Sequence, residues 1–224
     1  MIDYTLTRSK RKTIAIYVRE GMVEVRAPLK TPIRDIDKFV ALKEQWILEK
    51  LAKLNRQATK RESFVLSYGD CVTYRGRLIE IVAVAGKRSD FDGERFCIPP
   101  NLSSEEIKHN CIKIYKQLAK YDLTQKTQWY SRIMSVTPNA IKINSAKTRW
   151  GSCSNKKSLN FSWRLIMASD DVIDYVVVHE LAHILQLNHS KKFWSIVESV
   201  LPDYKLRQKR LKELQHRLNN ENWD

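Results

Sequence analysis

In the segment His179-Glu180-Leu181-Ala182-His183, residue types and spacing together suit metal-assisted hydrolysis. On a helix, residues four apart project from nearly the same side, one turn above the other, so both imidazoles reach one ion. Glu180 lies one position beyond the first of them and flanks the ion rather than binding it. From there its carboxylate takes the proton of a zinc-bound water, whose pKa the metal lowers towards ~7 while polarising the bond under attack. A third ligand must come from elsewhere, leaving the fourth position open to solvent. His189 is the natural choice. It falls six residues after His183, just past the expected helix end, where Asn188 suits the left-handed turn that reverses a chain. Glu198, on the following helix, is the alternative. The expected cofactor is therefore one zinc ion held by His179, His183 and His189, with Glu180 as the catalytic base.

The helix that must carry this motif starts at Ser169 or Asp170, both good caps, and runs through Gln186. Val176-Val177-Val178 makes it apolar just before the motif, as in a helix buried in a domain core. A histidine and a glutamate buried there without a metal would be costly. Upstream, residues 140–164 hold six basic side chains (Lys142, Lys147, Arg149, Lys156, Lys157, Arg164) and no acidic one. Lys147, Arg149 and Trp150 are the candidate substrate-binding residues, Arg149 serving either to hold a carboxylate or oxyanion or as a structural ion-pair partner. The basic stretch either favours an acidic polypeptide, a nucleic-acid-bound protein or a phosphate, or keeps an exposed strand edge from aggregating. Cys153 reads either as an inhibitory ligand or as a small buried residue. Phe193, Trp194 and Trp163 read as core.

Around this centre the chain has an α+β pattern. Thr13 to Val18 and Met22 to Ala27 form a hairpin about Glu20-Gly21, followed by one helix carrying Ile36, Phe39, Val40, Ile47, Leu51 and Leu54. Val72 to Tyr74, a turn at Gly76, Leu78 to Ala85 and Phe96 to Ile98 are strand-like. Pro99-Pro100 marks a boundary between an N-terminal mixed region, 1–100, and a hydrolase domain, 101–224. The second region opens with a capping box, Ser103 to Glu106, on a helix that continues to about Met134. Ala140 to Ile143 and Leu159 to Trp163 are strands separated by a polar loop at Trp150-Gly151-Ser152. Helices after Ser190 and Asp203 complete the chain.

Hydrophobic residues make up 43% of the chain and charged ones 29%, which excludes a disordered polymer. No apolar run approaches the ~20 residues that cross a bilayer, and the N-terminus has no signal-peptide pattern. A cytoplasmic location without a membrane partner is expected, with the four cysteines as free thiols. Forty Lys and Arg against 25 Asp and Glu give a net charge of +15, which attracts phosphate backbones, acidic proteins or anionic small molecules.

Several stretches resemble the YgjP-like family of zincin metallopeptidases, related to the SprT-like and WLM groups. They are Lys147-Thr148-Arg149-Trp150-Gly151-Ser152-Cys153, Ser158-Leu159-Asn160, and Val172 through His183. The likeness continues through Asn188-His189-Ser190 and Phe193-Trp194 to Pro202-Asp203-Tyr204. The resemblance implies a zincin-type catalytic domain behind an N-terminal β-containing region, with the three histidines on zinc and Glu180 as base. Metzincins share the histidine spacing but carry glycine where this chain has Gln186. The residues thus lead to a zinc metallopeptidase acting on a polypeptide. A metal-dependent phosphohydrolase acting on a nucleotide is the alternative, with Lys147, Arg149 or Lys157 clamping phosphates. A non-enzymatic nucleic-acid-binding module, based on charge, is the third reading.

Overall fold

Strand β3 (Met22–Pro28) alternates buried and partly exposed residues, and Val23, Val25 and Ala27 supply the inner face of a small first sheet. A computed structural model, describing residues 2–19 and 21–223, pairs β3 antiparallel with β2 (Ala15–Arg19) and parallel with β1 (Thr5–Ser9). The expected hairpin is therefore present, although Glu20 of its turn lies outside the described residues. Strand β1 was not anticipated, since Thr-Leu-Thr-Arg-Ser carries a single apolar side chain. Two helices follow where one was expected: α1 (Ile33–Leu42) and α2 (Glu44–Glu62), broken at Lys43, whose φ of −106° leaves the helical region. Ile36, Val40 and Ile47 complete this first core against the three β3 side chains.

A second core is built on a four-stranded sheet in the order β4-β5-β7-β6, comprising β4 (Cys71–Tyr74), β5 (Arg77–Ala83), β6 (Asp90–Phe91) and β7 (Phe96–Ile98). The long helix α3 (Ser104–Ile133) begins at the expected capping box. The Ser103 amide donates to Glu106 Oε2 at 2.8 Å, and the Glu106 amide donates to Ser103 Oγ. Beyond it, β8 (Ala140–Asn144), β9 (Gly151–Cys153) and β10 (Ser158–Ser162) form a third sheet in the order β8-β10-β9. A single 3-10 turn, Trp163–Met167, then leads into α4 (Asp170–Leu185), α5 (Lys191–Val200) and α6 (Tyr204–Leu218). The architecture is α+β, with helices concentrated towards the C-terminal part.

One further expectation needs correction. Gly151-Ser152 is strand rather than loop: Gly151, Ser152 and Cys153 pair antiparallel with Phe161, Asn160 and Leu159. Three residues with a glycine among them show no period, so only the partner strand reveals them. Along the chain, the described residues divide into two compact units between Phe64 and Val65. One compact unit runs up to Phe64 and takes in Leu218–Asn222; the other comprises Val65–Arg217 and Trp223. The prolines do end β7, yet Phe96 packs edge-on against Tyr115 of α3 with ring centroids 5.1 Å apart. That contact ties strand and helix into one core.

Within the second unit, Tyr115 stacks on Trp163 and meets Trp223 edge-on, both at 5.5 Å. The buried Arg164 donates to the carbonyls of Ser145 and Trp223, each at 2.9 Å, and so fixes the 3-10 turn that delivers the chain into α4. Cys71, Cys97, Cys111 and Cys153 are all free. Among the described residues no helix is long and apolar enough to cross a membrane.

Candidate metal centre

Helix α4 is buried almost all round, with Val172, Ile173, Tyr175 to Val178, Glu180, Leu181 and Ala182 inaccessible. An apolar helix of this kind forms where neighbours cover every face, here α3, α5 and β9. Its N-terminus is charged and paired. Asp170 meets Arg75, Asp171 meets Arg210, and Asp174 meets Lys126 at 2.6 Å. The carboxylates of Asp170 and Asp171 also suit the positive end of the helix dipole. These pairs hold a helix whose C-terminal turns carry the motif.

His179 and His183 project from one side of those turns, and the chain reverses through residues 186–189 to bring His189 back to them. One ring nitrogen from each of the three lies within 4.8 Å of the other two, an arrangement able to hold a metal ion. His179 Nε2 and His189 Nε2 are 3.1 Å apart. Two nitrogens bound to one tetrahedral zinc at about 2.0–2.1 Å stand about 3.3 Å apart, so the spacing suits that ion. The His183 Nδ1–H donates to the Gln186 carbonyl at 3.2 Å, which fixes the tautomer and leaves Nε2 with its lone pair. His179 Nδ1 is buried without a hydrogen-bond partner among the described residues.

The rings rest on α5. Phe193, fully buried, packs against all three, with centroids 4.9, 4.5 and 4.8 Å from His179, His183 and His189. Trp194 stacks beside His189 and in turn on Tyr204. Burial, helped by the neighbouring His183 and His189, pushes the His179 imidazole down to about 3. Burial and His189 also lower His183, against the upward pull of the Gln186 carbonyl. Both rings are thus neutral near pH 7, the form that binds metals.

Glu180 lies against the backbone of Gly151 in β9. It is 6% exposed and makes no ion pair among the described residues, so burial alone pushes its carboxyl up to about 8. Burial raises the nearby Cys153 thiol, and the Glu180 charge raises it further. Cys153 is half-buried and outside the histidine cluster. Glu198 is exposed on α5 and likewise outside it. Lys147 and Arg149 are exposed on the segment entering β9, and the Trp150 carbonyl accepts from the Ser162 amide. Two site residues were not identified from sequence. Phe193 reads there only as core, and Gly151 only as a turn.

A family model described as "YgjP-like, metallopeptidase domain" matches residues 12–214. Two solved structures are similar to part of the chain. One is the metallopeptidase zymogen abylysin of Pyrococcus abyssi, 18% identical over 44% of this chain and 97% of that one, with a TM-score of 0.38. The other is the metallopeptidase zymogen jannalysin of Methanocaldococcus jannaschii, 22% identical over 42% and 96%, with a TM-score of 0.37. No curated protein matches the chain in sequence.

Proposed function

The chain belongs to the YgjP-like metallopeptidase domain family, and from that premise we propose that it hydrolyses peptide bonds with one zinc ion on His179, His183 and His189. The observation that carries this reading is the convergence of three imidazole nitrogens, with the buried Glu180 carboxyl next in the chain to the first of them. Zinc, when bound, supplies Lewis acidity that polarises the carbonyl under attack and acidifies water.

The chain's own residues supply the rest. His183, oriented by the Gln186 carbonyl, and His179 and His189, seated on Phe193, present their ring nitrogens without rearrangement. Glu180 Oε1 receives a proton from the attacking water and returns it to the departing amine nitrogen. Burial keeps the affinity of that carboxylate for a proton high, which suits both halves of the transfer. Lys147, Arg149 and Trp150, on the approach to β9, are proposed to contact the polypeptide.

Glu180→Gln tests the assignment. The metal-replete variant is expected to keep its zinc and lose at least a hundredfold in peptide-cleaving rate. Unchanged cleavage would remove Glu180 as the base. Release of phosphate from a nucleoside triphosphate, with casein left intact, would move the site to phosphoryl chemistry.

A further inference from the structure

The far edge of the third sheet carries a second feature, independent of the histidine cluster. Strand β8 is outermost in the order β8-β10-β9, and among the described residues its backbone bonds only to β10. Along it runs a hollow of about 550 Å³, walled by residues 141–145 on one side and by Lys116, Lys120 and Thr124 of α3 on the other. Four consecutive strand residues, 141–144, line it together with the adjoining Ser145. Since neighbours in a strand point to opposite faces, the hollow follows the edge of the strand and not one face.

Its chemistry is one-sided. Lys116, Lys120 and Lys142 are exposed and have no ion-pair partner among the described residues, and no acidic residue lines the space. The spacing is specific as well. Lys116 and Lys120 stand one helical turn apart, about 6 Å along the axis. Alternate side chains of an extended peptide repeat every ~6.7 Å. A strand added to β8 would therefore bring carboxylates at every second residue opposite both ammonium groups.

We infer that this groove binds an extended acidic polypeptide segment, with carboxylates two residues apart, as an added strand on β8. The unpaired N–H and C=O groups of the edge recognise a peptide backbone and have no counterpart in a nucleic acid. No aromatic side chain lines the hollow to stack a base. The inference does not rest on the peptidase reading, because the groove lies on the opposite edge of the sheet from β9.

Fluorescence anisotropy on the full chain tests it, in the metal-replete Glu180→Gln background so that the probe stays whole. The probes are a labelled peptide alternating glutamate and valine, and one of equal composition with its glutamates clustered. The alternating peptide is expected to bind at least tenfold more tightly. Lys116→Glu with Lys120→Glu is expected to erase that advantage, as is N-methylation of alternate peptide amides, while adding His183→Ala to the background leaves it intact. Equal binding of the two peptides would overturn the inference, and that comparison needs no altered lysine. So would loss of binding with His183→Ala, or an oligothymidylate of equal charge competing while N-methylation has no effect.

Discussion

Gly151 and Glu180 touch without an intervening side chain: a Cβ on Gly151 would stand 2.6 Å from Glu180 Cγ and 2.7 Å from its Oε1. No real Cβ tolerates such distances, so the carboxylate occupies the space a side chain would fill. Gly151→Ala is expected to displace Glu180 while leaving the imidazoles untouched. Peptide cleavage should fall about ten- to a hundredfold in kcat, the loss typical of a misplaced general base, with zinc content unchanged. Loss of zinc together with activity would show that Gly151 shapes the metal centre instead.

Glu180 also makes the metal-free protein sensitive to pH. Its carboxyl is raised from 4.5 to about 8 in the folded chain, so the native state holds the proton more tightly than the unfolded one. Stability contributed in this way is present below pH 4.5 and is lost as pH rises towards 8. Glu180→Gln should abolish that slope and stabilise the chelated protein at pH 8 by on the order of 1–3 kcal/mol. His179 acts in the opposite sense: its depressed basicity costs stability as pH falls below 6.5 towards 3. Thermal unfolding in chelator between pH 5 and 8.5 separates the two. A Glu180→Gln variant no more stable than wild type at pH 8 would contradict the burial argument.

Phe193→Ala would remove the floor beneath three rings at once. A buried phenylalanine truncated to alanine costs about 3–5 kcal/mol. Here the metal should also bind more weakly, because the ring orientations lose their support. Phe193→Leu keeps most of the volume and should retain the metal. Denaturant unfolding and a zinc competition titration, run on both variants, give the answer; equal zinc affinity throughout would confine Phe193 to packing.

Much of this was legible in the chain. Ser103 and Glu106 announce the start of α3 because a capping box is a local device, and the spacing of His179 and His183 survives any tertiary context. The return of His189 was also readable, since only a short reversal separates it from the helix. What escaped depends on distant partners. Strand β9 exists because β10 lies beside it, and Gly151 gains its meaning from a side chain 29 positions away. The break at Lys43 is set by packing, which local periodicity does not record.

The central claim is that His179, His183 and His189 together hold a divalent cation with Glu180 left free of it. Elemental analysis of zinc-replete protein after extensive dialysis tests it most directly. Wild type and Glu180→Gln should each retain one zinc per chain. His179→Ala, His183→Ala and His189→Ala should each lose most of it, and zinc at a thousandfold excess over its Kd should stabilise wild type by about 4 kcal/mol. Dialysed wild type without bound metal, or histidine variants as metal-rich as wild type, would contradict the account.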